Sequence, residues 1–139
     1  FEAGAADQVA TFPATKGRYV ALVAKDSQRS DEFTTLAELH LVDAGGVELP
    51  RTAWSVAWAD SEEVDAENGS AVNVIDGDPR TFWHTQWSAA KPRHPHVVVL
   101  DLGEERVLTG LRCTPRQNSP NGRIRAFELY VEKTPFGGL

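Results

Sequence analysis

Period-two alternation of apolar and polar residues, in runs too short to be anything but strands, is the feature that most restricts this chain. Segments 19–24 and 36–42 read as strands, and 52–59 places Trp54, Val56 and Trp58 on one face. Segment 97–102 is apolar except for Asp101, the pattern of a central strand covered on both sides. A Gly103-Glu104-Glu105 turn then leads into 107–113, and 126–131 sets Phe127, Leu129 and Val131 on a common face. Clusters of Gly, Pro, Asn and Asp separate the runs, and no segment repeats apolar residues at helical spacing. The expectation is an all-β domain, a sandwich or a barrel. Its long polar segments, 62–73 and 85–96, are where a rigid sandwich carries binding residues.

A chain of 139 residues suits one domain, 1–139, with core enough to stand without disulfides. Its single cysteine, Cys113, ends an alternating run and reads as a small buried core residue. No apolar run reaches the length of a membrane-spanning helix. No basic-then-apolar leader stands at Phe1, which leaves export open. A net charge of -6 repels phosphate backbones and anionic lipid heads, so neither nucleic acid nor membrane insertion is expected. Arg112, Arg116, Arg123 and Arg125 fall close together, which leaves room for a local basic patch.

Catalytic signatures are missing. No serine sits in a Gly-x-Ser-x-Gly elbow, no glycine loop is built for phosphate, and no carboxylate pair stands in a recognisable glycosidase motif. His94 and His96 flank a proline and read as loop and strand edge rather than metal ligands. His40 has no metal-binding neighbour. The expectation is a protein that is not an enzyme.

Four stretches, in order, carry a resemblance. They are Ala-Val-Asn-Val-Ile-Asp-Gly-Asp-Pro-Arg-Thr-Phe-Trp-His-Thr-Gln-Trp at 71–87, His-Val-Val-Val-Leu-Asp-Leu-Gly at 96–103, Thr-Pro-Arg-Gln-Asn-Ser-Pro-Asn-Gly-Arg-Ile at 114–124, and the strand at 126–131. Together they resemble the discoidin domain, also called the coagulation factor 5/8 C-terminal domain, and within it carbohydrate-binding module family 32. That resemblance implies a discoidin-like, galactose-binding-like jelly-roll β-sandwich, at work outside the cell. Residues 1–46 resemble the family's last strands, and 47–139 its first part. Lys133-Thr-Pro-Phe-Gly-Gly-Leu139 looks like the run into a turn that would continue at Phe1. The chain thus resembles a circular permutation. The alternative is a cut across two tandem modules, completed by exchanging strands in a homo-oligomer or strand-swapped dimer.

The resemblance also implies a ligand: a terminal galactose, N-acetylgalactosamine or related sugar. Residue by residue, the family's histidine falls on His84, its stacking aromatic on Trp87, its arginine on Arg116 and its asparagine on Asn121. The acidic loop residue falls on Glu67 and a further aromatic on Phe33. An aromatic ring covers the C–H face of a pyranose, while charged and amide groups bond its hydroxyls. Trp83, following Phe82, reads as core. Glu67 lies in the acidic run 62–67, where a solvated face is the ordinary explanation. A discoidin-type protein- or lipid-binding adhesion module is the alternative function.

A structural calcium site is the last implication. Asp76, Asp78 and Thr81 would supply side-chain oxygens, Asn73 a carbonyl, and Glu38 would close the site, with Ala37 adding a carbonyl. Hard oxygen donors in a tight loop suit that ion. An Asx-type turn without metal is the other reading.

Overall fold

The computed structural model describes residues 1–137. Among these residues seven strands form in chain order: β1 (Gln8–Ala24), β2 (Thr35–Leu36), β3 (Glu38–Asp43), β4 (Ser55–Ala59), β5 (Trp83–His84), β6 (His96–Thr114) and β7 (Phe127–Glu132). A 3-10 turn of helix, Ala71–Ile75, interrupts them. Gly138 and Leu139 lie outside the described residues, and so does the end of the turn expected after Lys133.

β6 organises the molecule. It pairs antiparallel with β1 over nearly its whole length, with β3 through its C-terminal half, and with β4 through its N-terminal end. β7 adds to the outer side of β1. Both long strands change register at the same place, between Gly17↔Arg106 and Tyr19↔Asp101. There the sheet folds over, and its two halves meet face to face. Val20, Leu22, Val98 and Leu100 from one half share a core with Leu39, Leu41, Leu108 and Leu111 from the other. The result is the expected all-β, discoidin-like sandwich. Each buried Leu or Val here contributes about 1.5–3 kcal/mol by leaving water.

Three strand expectations change in detail. The Gly103 stretch is no hairpin turn: β6 runs on through it, carrying more residues than β1 across the interval. Gly103 has φ 84° at this bend, and a Cβ there would lie 2.9 Å from the Ala53 carbonyl oxygen, so only glycine fits. Trp58 does not share a face with Trp54. A bulge between Val56 and Trp58 sets Trp58 opposite Val99, leaving it 46% exposed while Trp54 is 8% exposed. The run at 36–42 divides at Ala37, because its first residues pair with β5 and the rest with β6.

Three other expectations hold. Phe127, Leu129 and Val131 are half-buried while Glu128, Tyr130 and Glu132 are exposed. Trp83 is fully buried, its Nε1 donating to the Ser61 carbonyl at 2.8 Å. Cys113 is buried, and burial pushes its thiol up to about 12, which makes it inert as a nucleophile.

Candidate functional site

The short β2–β5 ladder sets the floor of one end of the sandwich. Pairing of Thr35 with His84 brings the loop before β2 beside the loop after β5. Thr85 N–H donates to the Thr34 carbonyl at 3.1 Å, and Thr34 N–H donates to Thr85 Oγ1 at 3.1 Å. The Phe33 ring therefore stands 5.4 Å from the His84 ring. The Asn121-Gly122 turn docks on the same ladder. Thr35 N–H donates to the Gly122 carbonyl at 2.8 Å, Thr35 Oγ1 to the Asn121 carbonyl at 2.7 Å, and Gly122 N–H to Asp31 Oδ2 at 3.1 Å.

Phe33, Glu67, His84, Trp87, Arg116 and Asn121, the six positions expected from the sequence, all line one open pocket of ≈ 710 Å³. Ser88 and Lys91 complete its wall. Trp87 remains 36% exposed, and its Nε1 donates to Glu67 Oε1 at 2.9 Å. His84 is only 4% exposed. Its Nδ1 lies 2.6 Å from the Thr85 carbonyl oxygen, which assigns the proton to that nitrogen and leaves Nε2 as acceptor. Burial holds the His84 ring below the usual histidine range, against the pull of that carbonyl and Glu67. Arg116 lies over the Phe82 ring, Cζ 4.2 Å from the centroid, and its Nε donates to Asn118 Oδ1 at 2.7 Å. Asn121 Oδ1 accepts from Arg29 Nη1 at 3.2 Å.

Glu63 is the residue that sequence reasoning missed. The acidic run is not a single solvated face: Glu63 is 1% exposed. Its Oε1 accepts from Trp87 N–H at 3.0 Å and from Ser88 N–H and Oγ at 2.8 Å each. Its Oε2 accepts from the N–H groups of Asp65 and Ala66, both at 3.1 Å. The backbone donors of Trp87 and Ser88, followed by that of Ala66, hold the Glu63 carboxyl down to about 2 despite its desolvation. One carboxylate thus ties the loop bearing Glu67 to the loop bearing Trp87. Its neighbour Glu62 accepts from Ala71 N–H at 2.8 Å and starts the 3-10 turn.

The histidines at the entry to β6 brace the Phe33 loop. His96 is fully buried, with Nε2 2.8 Å from the Glu32 carbonyl oxygen and Nδ1 2.9 Å from Asp60 Oδ2. His94 Nε2 meets Thr34 Oγ1 at 3.1 Å. Both rings thus contact protein oxygens in the loop.

The oxygen-rich loop lies apart from the pocket. Asp76 accepts from Asp78 N–H at 2.9 Å and from the Thr81 hydroxyl. Asp78 accepts from the backbone N–H of Arg80 at 2.9 Å and from its Nε at 3.0 Å. Asn73 is buried, its carbonyl accepting from Asp76 N–H at 3.4 Å, and Ala37 is fully buried. Glu38 is 3% exposed and bonded through Oε2 to Arg51 Nη1 at 2.9 Å. Its Oε1 is buried without a partner. Burial raises the Glu38 pKa, opposed by Arg51 and reinforced by the charge of Asp76. No group of three or more His, Cys, Asp or Glu among the described residues is placed to hold a metal. The orphaned Glu38 oxygen, which feels the charge of Asp76, is a group that a hard cation would satisfy. Arg51 on Glu38 and Arg80 on Asp78 are the competing cations.

The sequence model of the F5/8 type C domain matches residues 52–134, more than half the chain. The chain belongs to this family. A sialidase of Micromonospora viridifaciens is 42% identical over 125 residues, covering 87% of this chain and 18% of the sialidase. An A type blood N-acetyl-α-D-galactosamine deacetylase of Flavonifractor plautii is 40% identical over 63 residues, 45% of this chain and 8% of the deacetylase. A galactose oxidase of Gibberella zeae is 36% identical over 89 residues, 62% of this chain and 12% of the oxidase. This F5/8 type C domain therefore spans less than a fifth of each of these relatives. The match to the sialidase is longer than segment 47–139, so it runs into segment 1–46 as well.

Proposed function

We propose that this domain binds terminal galactose-like sugars and performs no catalysis. The convergence of two aromatics, a neutral histidine, an arginine, an asparagine and a glutamate on one open pocket carries the reading. Trp87 and Phe33 offer apolar surface to a pyranose face, His84 Nε2 and Glu67 accept from hydroxyls, and Arg116 and Asn121 donate. Two of the relatives are named for galactose-type compounds, which supports a sugar of that class. Glycoside hydrolysis uses two carboxylates across a cleft, and among the described residues the pocket wall holds one, Glu67.

The same reading places the domain outside the cell and gives it a structural calcium, held by Glu38, Asp76, Asp78 and Thr81 with carbonyls of Asn73 and Ala37. Calcium would offset the repulsion between Glu38 and Asp76 and tie β3 to the loop at Asp76. The order of the two parts is read as a permuted form of the family's order, with strand exchange between two copies as the alternative.

A glycan array tests the function. The expected result is binding to terminal galactosides, lost in Arg116→Ala. Silence across the array, with folded protein, would move the reading to a protein or lipid partner.

A further inference from the structure

Most arginines of this acidic chain are neutralised where they stand. Arg18, Arg51, Arg80, Arg106, Arg112 and Arg125 are each ion-paired with a carboxylate. The cations at the pocket are not. Lys91 and Arg116 line it. Arg29 reaches its rim through Asn121 Oδ1, and Arg123 stands behind Arg116, its Nε donating to the Arg116 carbonyl at 2.9 Å. None of these four is ion-paired among the described residues.

The acids nearby bond neutral donors rather than these cations, although the charge of Glu67 acts on Arg116 across the pocket. Glu67 Oε1 accepts from the Trp87 indole. Asp31 accepts from Phe33 N–H through Oδ1 and from Gly122 N–H through Oδ2, both at 3.1 Å. Arg116 meets only the neutral Asn118 amide through Nε and the Phe82 ring through its face. Its terminal nitrogens have no side-chain or backbone acceptor among the described residues. A half-buried guanidinium in that state gains most from an anion, because charge-assisted hydrogen bonds are roughly twice as strong as neutral ones.

We propose that this pocket prefers a sugar bearing a negatively charged substituent, a carboxylate or a sulfate, received by Lys91 and Arg116. The proposal rests on the sugar reading above and names the class of sugar. Arg116 is fixed by Phe82 and Asn118 and sets the geometry. Lys91 carries its charge on a flexible, exposed stem and closes on the anion. The net charge of -6 over the chain as a whole favours a single charged sugar over a long polyanion.

Isothermal titration of the intact domain decides it, with methyl β-galactoside, its 6-sulfate and methyl galacturonoside as probes. The expected result is that at least one charged probe binds about tenfold tighter than the neutral one at low salt. That ratio collapses in Lys91→Gln, survives in Lys91→Arg, and shrinks in about 1 M salt, where the screening length falls to about 3 Å. The stronger of the two charged probes identifies sulfate or carboxylate as the source. Equal affinity for neutral and charged probes overturns the anionic assignment and leaves the sugar reading intact. Binding of none of the three overturns both.

Discussion

The Trp87 indole N–H points at Glu67 Oε1, 2.9 Å away, so the pocket's main aromatic is positioned by the pocket's own carboxylate. Removing either group frees the other. Trp87→Phe keeps a ring but loses the tether, and Glu67→Gln keeps an acceptor but loses the charge. Each should weaken sugar binding by about tenfold, the equivalent of about 1.4 kcal/mol, with the melting temperature little changed. Titration of both single variants and the double variant measures their coupling. Strictly additive losses would contradict a shared role.

Glu63 gives the fold an acid-sensitive lock. Its carboxyl is held down to about 2 against an ordinary value of 4.5, chiefly by the N–H groups of Trp87 and Ser88. An acid whose folded value is depressed is protonated first in the unfolded chain. Its stabilisation is complete above about pH 4.5 and is lost as pH falls towards 2. Glu63→Gln should therefore melt lower than the parent at pH 7 and lose less on acidification, as followed by circular dichroism. Parallel melting curves across that range would refute the assignment.

The buried histidines should titrate in opposite directions. Burial pulls His96 down, but Asp60 and the Glu32 carbonyl together outweigh it and raise its value. Burial lowers His84. His96 stabilises the fold fully below the unfolded value of about 6.5 and loses this as pH rises through its folded value. His84 does the reverse: its contribution holds above about 6.5 and fades as pH falls through its depressed folded value. Ring chemical shifts followed by NMR against pH should show the His96 midpoint above 6.5 and the His84 midpoint below it. The reverse order would contradict the Asp60 and Glu32 bonds assigned to His96 and the dominance of burial at His84.

Calcium at Glu38 and Asp76 predicts that EDTA lowers the melting temperature at neutral pH. Millimolar calcium should restore it, since a ligand at about one hundred times its dissociation constant adds about 2.7 kcal/mol. Glu38→Gln should melt at the same temperature with and without the ion. A parent domain indifferent to EDTA would leave the loop an Asx turn braced by Arg51 and Arg80.

Much of the architecture was legible because alternation survives in the strands that matter most. Phe127, Leu129 and Val131 declare their face directly, and Val97 to Leu100 announce a covered strand. The bulge ahead of Trp58 and the bend at Gly103 were hidden for one reason: apolar and polar residues alternate equally well on either side of a slipped register. Four of the six pocket positions, His84, Trp87, Arg116 and Asn121, were legible because they sit in recognisable motifs, and Phe33 and Glu67 followed only from the family resemblance of their loops. Glu63 was not, since a buried carboxylate and a solvated one look alike in an acidic run. Only the fold brings the Trp87 and Ser88 N–H groups to it. Lys91, a lone lysine in a Pro-containing loop, and Arg51, far from the Asp76 loop in sequence, carry no local signal either.

The measurement closest to the central claim is an NMR titration of the labelled domain with methyl β-galactoside, which tolerates the weak affinity of a shallow polar site. The account predicts saturable shifts concentrated at Phe33, Glu67, His84, Trp87, Arg116 and Asn121. Saturable shifts on another face of the sandwich, or none at high sugar concentration, would contradict it.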